Sequence, residues 1–552
     1  MTAFAQETTS HTTSTAFSID KACPVTTDAA LDRALQIAPQ LDALVDDQGS
    51  HSYGDLGRDV AAARAGMDAL GIRSGDRVGI CMKNSYAWIV VFLASTSLGA
   101  IAVPVNTRFK SRDLEYGITH SGMSVLFMEE RVLSNDILTT LRSFLPEVDS
   151  RLPGPAVPAL QHLVLVGSTE IPAAATSWAD FLELGRGRTL PAQCSPDQPA
   201  LIQYTSGTTG FPKGVVLTHR AICGNGFAAA VRMGLRAGDR IHSARPFFHV
   251  AGTTQSILAC LQQVATLVTM PRFVADDALR LIIEERCTHI SGNDTMAVML
   301  LDEYRRNPSP LQLRGAWLAA SAPTVGAVID ELGAREAVVA YGLSEAAPNV
   351  ALSAWWEPEK VRRTASMLPQ MGVEVAIRDE NGDHLQDRPG EIVVRGWNVM
   401  QGYWDNPEAT AESMDEDGWL STGDIGIVRN GRLEFLGRLK EIIRVGGENV
   451  SPVEVEDTLK THPEVAQACV VAVPDDRLVE VICAIIEPVK GSDAQALQDG
   501  IGAWCAQKLA GFKVPRHVLT VGSIESLGMT ESSKIRRKDA QSYAISALGM
   551  DA

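Results

Sequence analysis

Apolar residues recur at helical spacing over residues 55–70 (DLGRDVAAARAGMDAL), and Gly71 closes the stretch, so a helix is predicted there. Short apolar runs predict buried strands over 76–83, 163–166, 200–204, 316–319, 337–340 and 392–394. Helices are predicted from about Thr218 and over 276–285, so the two element types alternate. This is an α/β pattern, a large N-terminal domain of packed β-sheets flanked by helices. After Asp424 the texture changes: residues 431–444 (GRLEFLGRLKEIIR) are charged and turn-rich and read as a linker, not as a core strand. Beyond them lies a smaller α+β pattern of about a hundred residues, the size of one small domain. It opens with a helix over 452–459, with Ser451 as N-cap and Pro452 at its first position. Strands over 468–473 and 481–486 and a helix over 497–509 follow. The chain therefore divides into a loose Thr/Ser-rich tail (1–30), an N-terminal domain (31–436) and a C-terminal domain (437–552).

Two uncharged runs, 84–107 and 246–271, are long enough to span a bilayer, which takes about 20 residues. The first carries Ser95, Thr96, Ser97, Gly99 and Pro104 and reads as a buried helix followed by a strand. The second carries His249, Gly252, Thr253, Thr254, Gln262 and Gln263, poor company for lipid. No integral membrane association is expected. The 552 residues carry 49 Lys+Arg against 66 Asp+Glu, and the net charge of -17 argues against a nucleic-acid or anionic-lipid partner. Nine cysteines, an odd number with no CxxC pair, read as buried thiols of a reducing compartment. The first twenty residues have neither a basic nor an apolar signal region. A cytoplasmic enzyme is the expectation.

Residues 204–214, YTSGTTGFPKG, follow a predicted strand with three glycines, four Ser/Thr hydroxyls and one lysine. Such a loop lets backbone N–H groups wrap phosphate oxygens, with hydroxyls as further donors or a Mg²⁺ ligand and Lys213 as the charge. It does not match the Walker A spacing. Spacing alone leaves an ordinary surface turn equally open.

The full string resembles the phosphate-binding signature of the adenylate-forming superfamily, which includes acyl-CoA synthetases, luciferase-like enzymes and peptide-synthetase adenylation domains. The resemblance continues in order through 341–345 (YGLSE), 419–424 (WLSTGD), 437–456 (GRLKEIIRVGGENVSPVEVE) and 532–536, and spans about residues 52–539. It implies ATP, Mg²⁺ and coenzyme A as cosubstrates and cofactor. It implies phosphate contacts from Thr205, Ser206, Gly207, Thr208, Thr209, Gly210 and Lys213. Glu345 and Thr205 would ligate Mg²⁺, a hard cation suited to carboxylate and hydroxyl oxygen. Ser321, Ala322, Pro323, Tyr341, Gly342, Leu343 and Ser344 would wall the adenine, Asp424 would accept both ribose hydroxyls, and Arg438 would add a contact. Lys534 would bridge the attacking carboxylate and the α-phosphate, stabilising charge where two anions meet. The family usually places Gly before this lysine, whereas Ser533 stands here. Lys440 matches the hinge about which a mobile C-terminal domain turns, bringing Arg444, Gly446, Gly447 and Glu448 to the CoA thiol.

The acyl pocket implied by the family falls on Phe247, Phe248, Val250, Ala251, Gly252, Asn293, Asp294, Ala319, Ala320 and Ala346, with His249 beside the carboxylate or the thiol route. Amino-acid-adenylating relatives carry F-D-x-S in the first segment; Phe248–His249 breaks that pattern and disfavours an α-amino acid. Asn293–Asp294 marks a polar feature near the pocket or a loop-capping turn. The expected function is an acid–CoA ligase acting on a mostly apolar small-molecule carboxylic acid, aliphatic or ring-bearing, with a homodimer as a further expectation. Two alternatives stand beside it: an adenylating enzyme that loads a carrier protein or other acceptor, and a nucleotide-sensing scaffold.

Overall fold

The computed structural model describes residues 17–168, 170–188, 190–205, 212–445, 448–475, 477–529 and 535–550. Two large sheets and one small sheet organise it, and helices pack between and around them. The largest sheet has fourteen strands among the described residues. Its centre is parallel, in the order Thr266–Val268, Arg240–Ser243, His289–Asn293, Gly315–Ala319 and Val338–Gly342. These short apolar strands are buried because helices cover them, as parallel sheets require. From Asn349–Leu352 onward the sheet turns antiparallel, through Ser366–Pro369, Arg432–Arg438, Leu420–Arg429, Gly390–Gly396 and Val373–Arg378. The second sheet is built on Pro199–Thr205, Ile101–Pro104, Arg77–Cys81, Val125–Glu129 and His162–Val166, all in parallel register, with Lys213–Thr218 antiparallel at one side.

The predicted helix over 55–70 is Tyr53–Ala69, and the reason it starts where it does is a capping box. Ser52 accepts from the Asp55 N–H while the Asp55 carboxylate accepts from the Ser52 N–H, an arrangement worth about 1 kcal/mol. The first uncharged run is the helix Tyr86–Ser97 and the strand Ile101–Pro104. Its serine and threonine hydroxyls return to carbonyls of the preceding turn: Ser95 and Thr96 donate to Phe92 O at 2.9 Å each, so they are satisfied in the core. The second run contains a π-helical stretch, Ala251–Leu258, that passes into the α-helix Ala259–Gln263 and the strand Thr266–Val268. Among the described residues no helix is long and apolar enough to cross a membrane.

Two expectations need correction. Residues 432–438 are a strand of the large sheet, paired to Leu420–Arg429 on one side and Ser366–Pro369 on the other, not a linker. Leu433 points into the core while Arg432 and Glu434 on the opposite face are half-buried, Arg432 bound to Glu357 and Ser366, which is the alternation of an antiparallel strand. The loose tail does not extend to residue 30: Ile19–Ala22 and Thr27–Ile37 are helices, Ile19 is buried, and Thr27 Oγ1 bonds Thr96 Oγ1 at 2.8 Å.

The third sheet comprises Glu448–Val450, Ile443–Val445, Val479–Pro488, Val465–Asp475 and His517–Thr520, with the helices Pro452–Lys460, Ala494–Ala506 and Arg537–Ala547 against it. The large sheet ends at Arg438 and the small one begins at Ile443, so residues 439–442 cross between them. Ser451 caps its helix by accepting from the Glu454 N–H, as the sequence indicates.

Candidate active site

The 341–345 motif begins at the C-terminal end of the central parallel strand Val338–Gly342, the customary place for a ligand in an open α/β sheet. Tyr341 sits in the last residues of the strand Val338–Gly342, and its hydroxyl donates to Asp424 Oδ2 at 2.8 Å. Both side chains are buried, and the Tyr341 ring stacks on Phe435 with centroids 5.4 Å apart. Burial, and then the Asp424 charge, push the Tyr341 phenol well above its usual pKa, so it stays a donor. Arg438 Nε lies 3.8 Å from Asp424 Oδ1. The Asp424 turn is fixed locally: the Asp424 N–H donates to Thr422 Oγ1 at 3.1 Å, and Thr422 Oγ1 donates to Ile392 O at 2.7 Å. Gly342 is exposed, and a Cβ there would fall 1.9 Å from Pro348 O, so glycine alone fits beside the return of the chain.

Glu345 follows on the 3₁₀ turn Ser344–Ala346, with Leu343 tied by its N–H to Pro348 O at 3.0 Å. One carboxylate oxygen, Oε1, accepts from the Tyr403 hydroxyl at 2.9 Å. Lys213 places its ammonium 4.8 Å from the Tyr403 ring centre, and Thr205 is its partner across the hairpin that flanks the glycine-rich loop. Asp424 and Tyr341 thus form one contact pair, and Glu345, Tyr403, Lys213 and Thr205 a second set, the two joined through the chain from Tyr341 to Glu345. Ser206, Gly207, Thr208, Thr209 and Gly210 lie outside the described residues, as do Gly446, Gly447 and Lys534.

The turn behind Glu345 is held by buried amides that the sequence reading did not single out. Asn225 Nδ2 donates to Ala346 O at 3.1 Å and to Asn349 O at 2.9 Å, and Asn398 Nδ2 donates to the same two carbonyls at 3.2 Å each. Tyr403, Asn225 and Asn398 reach the turn from elements 50 residues or more away, and no local signal marks them.

Around the expected acyl pocket, Phe247 and Phe248 are buried, while Ala251, Ala319 and Ala320 keep partial exposure. Asn84 Oδ1 accepts from the Phe247 N–H at 2.8 Å, and Gln203 Nε2 donates to Phe248 O at 2.7 Å, so the backbone on both sides of the phenylalanines is pinned. Gly252 packs where a Cβ would lie 2.1 Å from Pro246 O, next to buried Val250. His249 is half-buried with its ring 4.8 Å from that of Phe248. Asn293 caps the helix Asp294–Arg306 by accepting from the Met296 N–H at 2.9 Å. Asp294 turns elsewhere: Oδ1 accepts from Ser321 N and Oγ at 2.8 and 2.9 Å, and Oδ2 pairs with Lys460 of the C-terminal domain at 2.6 Å. Ser321 is in turn the N-cap residue of the helix Ala322–Glu331, which has Pro323 in its first turn.

In the C-terminal domain Lys440 is exposed on the turn Leu439–Glu441, and Arg444 and Glu448 are exposed on neighbouring strands. Of the basic run near the C-terminus, Arg537 is structural: it pairs with Glu441 at 2.7 Å and donates to Glu456 and to Val470 O.

The donor set suits Mg²⁺ held chiefly by substrate phosphate. Glu345 has one oxygen engaged by Tyr403, Thr205 ends the neighbouring strand, and the described residues contain no cluster of three His, Cys, Asp or Glu that would cage a metal on its own.

Comparison with known proteins gives a consistent result. Residues 31–404 match the family model described as AMP-binding enzyme, and 454–534 match the AMP-binding enzyme C-terminal domain. The chain is 32% identical over 532 residues to the mitochondrial medium-chain acyl-CoA ligase ACSF2 of Macaca fascicularis, covering 92% of this chain and 85% of that protein. It is 35% identical over 505 residues to a Mycobacterium tuberculosis protein named 3-[(3aS,4S,7aS)-7a-methyl-1,5-dioxo-octahydro-1H-inden-4-yl]propanoyl:CoA ligase, covering 89% of this chain and 94% of that one. Among solved structures, the anthranilate CoA ligase AuaEII in complex with anthranoyl-AMP superposes with a TM-score of 0.84 at 25% identity, covering 97% of this chain and all of that one.

Proposed function

The chain belongs to the AMP-binding, adenylate-forming enzyme family as an AMP-forming acid–CoA ligase, and we propose that these site residues activate a mostly apolar, aliphatic or ring-bearing carboxylic acid. The carboxylate attacks the α-phosphate of ATP to give acyl-AMP and pyrophosphate; the CoA thiol then attacks the acyl carbon, giving the thioester and AMP. The observation that supports this reading is the presence of two contact sets, Asp424 with Tyr341 and Glu345 with Tyr403, Lys213 and Thr205, joined through the chain from Tyr341 to Glu345. The first offers a ribose acceptor and the second phosphate and cation ligands.

In this reading Asp424 orients the ribose, with Tyr341 fixing the carboxylate and walling the base. Glu345 and Thr205 would hold Mg²⁺, whose chemistry there is neutralisation of phosphate charge. Lys213 and the glycine-rich loop hold the phosphates, and Lys534 bridges the two reacting anions, leaving no need for a covalent enzyme intermediate. The chain beyond Lys440 acts as the mobile unit, turning about that residue so that Arg444 and the 446–448 segment approach the thiol. His249, whose ring is tilted against that of Phe248 at 4.8 Å, serves beside the carboxylate or the thiol route. The nine free thiols, mostly buried, suit a reducing compartment such as the cytoplasm. A carboxylic-acid panel read by AMP release tests the reading: release must require both the acid and CoA, and acid-independent release would overturn it.

A further inference from the structure

The half-buried Arg245 of the N-terminal domain has no counter-ion among the described residues. Arg245 leaves the end of the strand Arg240–Ser243 and folds back over the sheet, where its Nε donates to Ser291 Oγ at 3.0 Å and its guanidinium lies 4.2 Å from the centre of the Trp317 ring. Ser243, Ser291 and Trp317 are register partners on adjacent parallel strands and share one face of the sheet. Arg245 Nη2 and Trp317 Nε1 are both buried N–H donors with no acceptor in reach among the described residues. No carboxylate faces the guanidinium either; burial alone pushes its pKa down to about 9.

The contrast within this protein is direct. Arg232, which is buried, donates to the carbonyls of Leu352, Leu368 and Pro369. Buried guanidinium and indole N–H groups without acceptors are costly to fold around, so such a pair persists where a bound partner completes it.

Its location supplies the partner. Arg245 directly precedes the pinned segment 246–252, and its own carbonyl accepts from Asn84 Nδ2 at 2.9 Å, so its backbone is anchored by the same asparagine that fixes Phe247. It stands two residues inside the strand ends at Asn293 and Ala319. Arg245, Pro246 and His249 keep partial exposure on one side and Ala319, Ala320 and Ser321 on the other, and Ser291 and Trp317 between them are buried.

We propose that Arg245 Nη2 and Trp317 Nε1 form the distal wall of the acyl pocket and that the preferred acid carries a second carboxylate at its far end, which docks on this pair. The inference rests on the ligase reading above and sharpens its substrate class. A carboxylate offers two acceptor oxygens and the missing negative charge, whereas a purely apolar tail would bury both donors unpaired.

The test compares kcat/KM for AMP formation with monocarboxylic acids and with α,ω-dicarboxylic acids of matched length. At its best length the diacid should exceed the matched monoacid by about tenfold or more in the wild type, the scale of one hydrogen bond to a charged group. Arg245→Met should bring that ratio to one or below. Trp317→Phe, which keeps the stacked ring and removes only the N–H, should reduce it several-fold. A wild-type ratio of one or less at every length, or a ratio unchanged in Arg245→Met, overturns the proposal. Diacid binding without ATP or CoA, read as a rise in Tm, separates docking from chemistry: a rise lost in both variants supports the site, and a rise equal in all three proteins overturns it. Diacids that bind in this Arg245-dependent way yet never yield AMP would sink the ligase reading and leave the docking site standing.

Discussion

Lys460 Nζ lies 2.6 Å from Asp294 Oδ2, and this pair joins the C-terminal domain to the strand-end region of the N-terminal domain. The two residues are 166 positions apart and come together where the helix Pro452–Lys460 packs on the helix Ala322–Glu331. Lys460, and then contacts from Ser321, hold the Asp294 carboxyl down at about 2 despite its burial. Both side chains keep some exposure, so the pair counts for less than a fully buried one. Lys460→Ala should weaken domain docking by about 1–3 kcal/mol, the cost of leaving a largely buried acceptor without its partner. Faster proteolysis within residues 439–442 checks this, and an unchanged rate would remove the pair as a latch.

Asp457 makes docking depend on pH. It lies one helical turn before Lys460, and burial, reinforced by the Asp294 and Glu456 charges and opposed by Lys460, raises its pKa to about 7. A raised carboxyl pKa means the docked state binds the extra proton. Its contribution is fully present below the ordinary value of 3.8, falls as pH rises towards about 7, and is constant above that. Asp294 works in the opposite sense, contributing above 3.8 and losing its contribution as pH falls towards about 2. Docking should therefore be tightest near about pH 4 and loosen towards pH 7. Asp457→Asn should flatten the upper limb of that profile, measured by energy transfer between dyes on the two domains; a limb of unchanged slope would assign the titration elsewhere.

Tyr341→Phe removes one hydroxyl that donates to the carboxylate expected to hold the ribose. A hydrogen bond to a charged group contributes about 1.5–3 kcal/mol. KM for ATP should rise by about ten- to a hundredfold. The KM of the carboxylic acid should move little. Equal changes in both constants would point to a collapsed strand end instead.

Tyr403→Phe releases Glu345 Oε1 while keeping the ring under Lys213. The expected result is a higher Mg²⁺ requirement and a several-fold lower kcat, without a shift in the acid KM. A Mg²⁺ titration of the variant that superposes on the wild type would separate Tyr403 from the cation.

The sequence exposed most of the parallel core because those strands are continuous apolar runs, and it exposed helix starts through caps such as Ser52 and Ser451, whose side chains act on N–H groups three residues away. Residues 432–438 misled for the opposite reason. Their charges sit on one face of an antiparallel strand, and only Leu433 and its partners show that the other face is core. The π-helical stretch Ala251–Leu258 leaves no signature in hydrophobic spacing, because its residues are buried nearly all round. The motifs placed Tyr341, Glu345 and Asp424, whereas Tyr403, Asn225 and Asn398 act across long sequence distances and could be found only in three dimensions. Asp294 looked like a pocket residue by position, and the structure turns its carboxylate towards Lys460.

The central claim is that one site makes acyl-AMP and then passes the acyl group to CoA. Purified protein with ATP, Mg²⁺, CoA and a panel of acids should yield AMP and thioester in equal amounts, only when acid and CoA are both present, and Lys534→Ala should slow the adenylation step by orders of magnitude. Acyl-AMP that accumulates without thioester across the panel, or an unchanged rate in Lys534→Ala, would contradict it.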